Sequence, residues 1–153
     1  MQPIAITQGD PAGIGPEIVA KAFRDAPDAL RHCFVVGDVA TVRRAAGVIT
    51  RPGVPGVPVA QIGAPGEAAD VPPRCIPVLQ LPGIPGPQPW GEISPAAGRA
   101  AADSVVWAAR AALRGEVAAL VTAPLHKEAL SAAGVDFPGP VSYTHLRAHE
   151  TRG

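Results

Sequence analysis

The sequence predicts an α/β fold in which a parallel-rich sheet is flanked by helices. Three observations carry that prediction. Short apolar runs alternate with stretches of helical period, Pro or Ser marks several helix starts, and Gly closes several helix ends.

Residues Pro3 to Thr7 are a short apolar run followed by a Gly-rich turn, which reads as a buried strand. Gly15-Pro16-Glu17 opens a helix. Proline has no N–H to waste in the first turn, and Glu17 faces the positive end of the helix dipole. Ile18, Val19, Ala22 and Phe23 supply an apolar stripe at helical spacing. Cys33 to Val36 reads as a second strand, and Asp38 caps a short helix running through Ala46. From Arg51 to Pro89 the pattern changes, with eleven of the nineteen prolines and six glycines. Long helices cannot form there. The runs Val57 to Ile62 and Cys75 to Leu81 still predict short strands on a wandering connection. Ser94-Pro95 is a cap followed by proline, and Pro95 to Leu113 reads as one Ala-rich helix ended by Gly115. Val117 to Val121 predicts a buried strand, and Pro124 to Ala133 a helix closed by Gly134.

With 153 residues, the chain can bury one ordinary core. Aromatics are only 4%, so that core must be built from Ala, Val, Leu and Ile. The formal net charge of zero advertises no nucleic-acid face. No apolar run approaches the roughly 18 residues that would span a bilayer. The start, Met1-Gln2-Pro3-Ile4, does not read as a signal peptide. Cys33 and Cys75 fall in no metal or redox spacing, and reduced, buried thiols are expected. A cytoplasmic protein is the expectation.

Two segments could carry chemistry. In Thr7-Gln8-Gly9-Asp10-Pro11-Ala12-Gly13-Ile14-Gly15-Pro16-Glu17 a strand passes into a helix through three glycines. Gly9, Gly13 and Gly15 would let a ligand approach the backbone, and the helix N-terminus offers free N–H groups to an anion. Asp10 could hold a cation, orient a ligand hydroxyl or cap the turn. Ile18 stands where a Rossmann fingerprint needs its third Gly, and no Gly-Lys-Ser/Thr follows, so neither nucleotide motif is met. The same glycines would equally serve a tight turn with no ligand. In Val121-Thr122-Ala123-Pro124-Leu125-His126-Lys127-Glu128 a strand again runs into a helix. Thr122 would lie at the carboxyl end of its strand, where open α/β sheets bind ligands. Lys127 stands against the helix dipole, which points to an anionic partner or to a solvated surface lysine. His126 reads as a surface or capping residue. His145 and His149 are four apart, but their order is not that of a metalloprotease, and no metal site is expected there.

Taken together, these segments resemble the 4-hydroxythreonine-4-phosphate dehydrogenase family of pyridoxal phosphate biosynthesis. The resemblance rests on Thr7 to Glu17, on Trp90-Gly91-Glu92-Ile93-Ser94 with Gly98 and Ala102, on Val121 to Leu130, and on Ala133-Gly134 through Phe137-Pro138-Gly139. It implies a truncated fold of the isocitrate and isopropylmalate dehydrogenase type, from a two-domain subunit that works as a homodimer. It also implies NAD as oxidant of a phosphorylated hydroxy acid. A divalent metal (Zn, Mg or Co) would polarise the oxygen, and the oxo acid would then lose carbon dioxide. The residues carried over to substrate or cofactor are Gly9, Asp10, Gly13, Gly15, Thr122 and Lys127.

The resemblance stops at Gly139. The family continues with His-Thr-Glu, whereas here Pro140-Val141-Ser142-Tyr143 follows. Residues 1–139 therefore read as the N-terminal part of the dehydrogenase, and 140–153 as a disordered, non-family tail resembling translated adapter sequence. The family's metal-binding histidines lie further along, so no catalytic residue and no metal ligand is assigned here. An incomplete, inactive fragment is expected. The alternatives are a related dehydrogenase of threonate or erythronate 4-phosphate, and a non-catalytic anion-binding module.

Overall fold

The computed structural model describes residues 2–84 and 86–134, and every structural statement below concerns these. The expectations for Phe137 to Gly139, for the 140–153 tail, and for His145 and His149 lie outside them.

Five strands form one sheet: β1 (Ile4–Thr7), β2 (Cys33–Gly37), β3 (Val59–Ile62), β4 (Ile76–Gln80) and β5 (Ala119–Thr122). Their order is β3-β4-β2-β1-β5, and every pairing is parallel. The helices are α1 (Gly15–Asp25), α2 (Val39–Val48), α3 (Pro95–Leu113) and α4 (Lys127–Ala132). Parallel strands need crossovers, and here helices supply most of them. The Pro-rich stretch holds only β3, a short 3-10 helix (Pro65–Asp70) and β4, as its composition requires. Pro77 lies on β4 just before pairing with β2 begins at Val78, so its missing N–H breaks no bond of that ladder.

Side-chain alternation divides the core into two layers. Ile6, Val35, Ile76 and Val78 pack with Val19 and Phe23 of α1 and Val42 and Ala45 of α2. Ala5, Phe34, Val36 and Leu79 point the other way and meet Ala108, Ala111 and Ala112 of α3. Small alanines bring α3 close to the sheet, and Trp107 fills the remaining width edge-on against the buried ring of Phe34, 6.2 Å between centroids. Burial pushes the Cys33 and Cys75 thiols up, which leaves them poor nucleophiles.

The predicted caps are met where their bonds are local. Ser94 Oγ accepts from the Ala97 amide at 3.1 Å, and Asp38 Oδ2 from the Thr41 amide at 3.0 Å. Two expectations need correction. First, β5 is not a buried strand. It forms the sheet edge beside β1, its residues alternate between exposed and half-buried, and Val121 is 51% exposed. Second, α4 begins at Lys127 rather than Pro124. The Pro124 carbonyl is committed to the amide of Asp10 at 3.0 Å, which holds residues 123–126 outside the helix. His126 is the N-cap, its Nδ1 accepting from the Ala129 amide at 3.4 Å.

Helix α4 rests on α3 through Leu130, against Ala101 and Ala102. Gly98 permits the contact, because a β-carbon there would strike the Ala129 carbonyl. Gly98→Ala should therefore cost about 1–3 kcal/mol in denaturant unfolding. Gly47, also helical, has open space around it, and Gly47→Ala should instead stabilise by roughly 0.5–1 kcal/mol.

Candidate functional site

The chain runs from β1 to its neighbour β2, on to β3 at the far edge, back inward to β4 between them, and then through α3 to place β5 on the other flank of β1. The strand order therefore reverses between β1 and β5. In open parallel sheets, ligands bind in the crevice beyond the carboxyl ends of the strands at such a reversal. Both sequence motifs emerge there. Thr7 and Thr122 are register partners at the ends of the two strands.

The two turns are joined through their backbones. The Ala123 amide donates to the Thr7 carbonyl at 3.1 Å, and the Asp10 amide to the Pro124 carbonyl at 3.0 Å. Gly9 has φ +74, and a β-carbon on it would run into the Pro124 carbonyl. Gly15 is equally confined, since a β-carbon would strike the Gln8 carbonyl. Close backbone approach thus accounts for both glycines without a ligand. Asp10 is almost fully buried and shapes its own turn. Its Oδ1 accepts from the Ala12 amide at 3.0 Å, and its carbonyl from the Gly13 amide at 3.0 Å. Gly13 faces the other oxygen, Oδ2, where a β-carbon would sit at 3.0 Å.

What remains available to a ligand lies at the start of α1. Its N-cap, Ile14, makes no side-chain capping bond. The first amides of a helix have no intrahelical acceptor, and here they coincide with the positive end of an eleven-residue helix. An anionic group such as a pyrophosphate fits that chemistry. Thr122 is half-buried on the facing strand, and Lys127 is exposed at the first position of α4. The structure therefore brings the turn carrying Gly9, Asp10, Gly13 and Gly15 and the turn after Thr122 together at the carboxyl ends of β1 and β5, with Lys127 five residues beyond Thr122.

Residues that sequence reasoning passed over complete this end of the sheet. Gln8 is fully buried, and its Oε1 accepts from the Asp38 amide at 3.1 Å. Gly37 makes room for it. Gln80 braces the same helix start, with Oε1 accepting from the Val39 amide at 2.8 Å and Nε2 donating to Asp38 Oδ1 at 3.0 Å. Thr7 Oγ1 and Gln8 Nε2 are buried and make no hydrogen bond to the described residues. Only the position of Gln8 at the end of a strand could have signalled it, because its partner lies thirty residues away.

Among the described residues, no three His, Cys, Asp or Glu side chains form a group that could hold a metal. No helix there is long and apolar enough to cross a membrane. A cavity of about 520 Å³ lies at the opposite end of the sheet, lined by Phe23, Pro27, Cys33, Val71 and Arg74 among others. It faces the amino ends of β2 and β4, away from both turns.

The family model for the pyridoxal phosphate biosynthetic protein PdxA matches residues 29–152. The chain belongs to the PdxA family. That match also takes in most of the 140–153 segment that the sequence reading sets apart. A 4-hydroxythreonine-4-phosphate dehydrogenase of Trichlorobacter lovleyi is 40% identical over 152 residues, covering 97% of this chain and 43% of that protein. A D-threonate 4-phosphate dehydrogenase of Salmonella typhimurium is 41% identical over 141 residues, covering 89% of this chain and 41% of that protein. The crystal structure of a 4-hydroxythreonine-4-phosphate dehydrogenase from Klebsiella pneumoniae superposes with a TM-score of 0.82 at 38% identity, covering 99% of this chain and 45% of that one. The chain thus spans under half the length of these PdxA-family relatives.

Gly9→Ala tests the interlock of the two turns. It adds a left-handed penalty to a clash with Pro124 and should cost roughly 2–4 kcal/mol in denaturant unfolding.

Proposed function

We propose that this chain is the N-terminal part of an NAD-dependent dehydrogenase that oxidises 4-hydroxythreonine 4-phosphate. The observation that carries the reading is the meeting of two strand-to-helix turns at the sheet's reversal point, in a chain of the PdxA family. NAD, when bound, accepts the hydride from the substrate carbinol. This chain's residues act by binding and orientation. The free amides at the start of α1 receive a pyrophosphate or phosphate. Asp10 and Gly13 hold the turn that presents those amides. Lys127 adds a charge-assisted contact to the same anion.

The divalent metal implied by the family finds no ligand group among the described residues. A phosphorylated small molecule is the proposed partner, with a homodimer as the complete assembly. D-threonate 4-phosphate is the second reading for the substrate. Relatives bearing that name match as well as the others, at 39% and 41% identity. Assay of the complete protein on both phosphorylated acids decides between them.

The 153-residue chain alone should not reduce NAD with either acid. Turnover by the purified chain, above a blank without substrate, would contradict the proposal that its residues act only by binding and orientation. In the complete protein, Lys127→Ala should weaken cofactor or substrate binding by about 1–3 kcal/mol and leave the fold intact. Unchanged Michaelis constants for both ligands, with unchanged turnover, would remove Lys127 from the site.

A further inference from the structure

The glycine-rich turn is held from outside by one side chain. Arg44, on α2 and half-buried, reaches two segments far apart in sequence. Its Nη1 donates to the Gln88 carbonyl at 2.7 Å, and its Nη2 to the Pro11 carbonyl at 3.1 Å. The face of the same guanidinium lies over the Trp90 ring, 4.1 Å from its centroid. Next to that stack, the Gly91 amide donates to the Ala12 carbonyl at 2.7 Å. The loop that follows β4 is thereby strapped across Pro11 and Ala12, the crest of the turn that carries Asp10 and Gly13.

The residue type follows from the chemistry of the strap. Pro11, Pro87 and Pro89 have no N–H, so these segments offer mainly carbonyl acceptors. Joining two acceptor-rich strips requires a donor with several N–H groups at fixed angles. Guanidinium supplies them in a planar fork and leaves its face free to stack on an aromatic ring. Lysine could reach one carbonyl but could not bridge two and stack at once.

We propose that Arg44 is a positioning residue, which locks the 86–94 loop onto the glycine-rich turn and so fixes the shape that the turn presents to its ligand. For the ligand itself this depends on the cofactor reading proposed above. Arg44 touches neither cofactor nor substrate in this role.

The test uses the full chain with Arg44→Met, which keeps the apolar stem, and Arg44→Lys, which keeps the charge. Amide exchange is read at Gly91 and Gly13, with Val35 and Val36 of β2 as the core reference. Trp90 emission and its quenching by acrylamide are read with Trp107→Phe as background, and NADH binding by fluorescence titration. Arg44→Met should speed exchange at Gly91 and Gly13 by about tenfold while leaving β2 unchanged, the loss expected for hydrogen bonds to a charged donor. Trp90 should become more accessible to quencher, and NADH binding should weaken several-fold. Arg44→Lys should fall between wild type and Arg44→Met. Unchanged exchange at Gly91 and Gly13 would overturn the proposal. So would equal acceleration in β2, which would make Arg44 a general stabiliser, or faster local exchange with unaltered NADH affinity. If the wild-type chain binds no NADH, the cofactor reading falls for this chain, and the exchange pattern alone decides whether Arg44 shapes the turn.

Discussion

The fold around the candidate site depends on one backbone interlock. The turn after β1 and the turn after β5 approach so closely that only glycine fits at position 9, and the first turn folds back on its own Gln8 carbonyl so tightly that only glycine fits at position 15. The Asp10 amide and the Pro124 carbonyl close the contact. The bond ties together segments more than a hundred residues apart in the chain. It marks where β5 ends, holds the start of α4 back to Lys127, and keeps both turns at the carboxyl end of the sheet.

That constraint separates two roles that glycine-rich turns combine. Gly9 and Gly15 are explained by protein packing against protein. The amides that would suit an anion are those at the start of α1, which has no side-chain cap, and not the glycines themselves. Asp10 commits Oδ1 to its own turn, whereas Lys127 is exposed and uncommitted to any salt bridge among the described residues. Around this centre the carboxyl end of the sheet is braced by Gln8, Asp38 and Gln80 on one side and by Arg44 on another. Backbone positions fixed in this way need little further ordering, which is what a preorganised site requires.

Much of this was legible in the sequence because its signals are local. The ends of α3 coincide with Ser94-Pro95 and with the residues before Gly115, since caps act within a few positions. The strands in the Pro-rich stretch survive as short apolar runs. The misread elements are those decided by distant partners. Pro124 has the residue type of a helix start, but a bond from Asp10 overrides it. Val117 to Val121 is apolar enough for a core strand, yet strand order puts β5 at the edge, and strand order is not written in any one segment. Gln8 and Arg44 were missed for the same reason, because their partners come from thirty to forty-four residues away. Membership of the PdxA family was visible in the motifs themselves.

If both turns form one ligand site at the carboxyl end of the sheet, a ligand must perturb them together. Titration of the isotope-labelled chain with NAD, followed by amide chemical shifts, tests it most directly. Coupled, saturable shifts are expected at Gly9 to Glu17 and at Thr122 to Lys127, with the residues around Pro27 and Arg74 silent. Shifts confined to that opposite cavity, or to only one of the two turns, would contradict it.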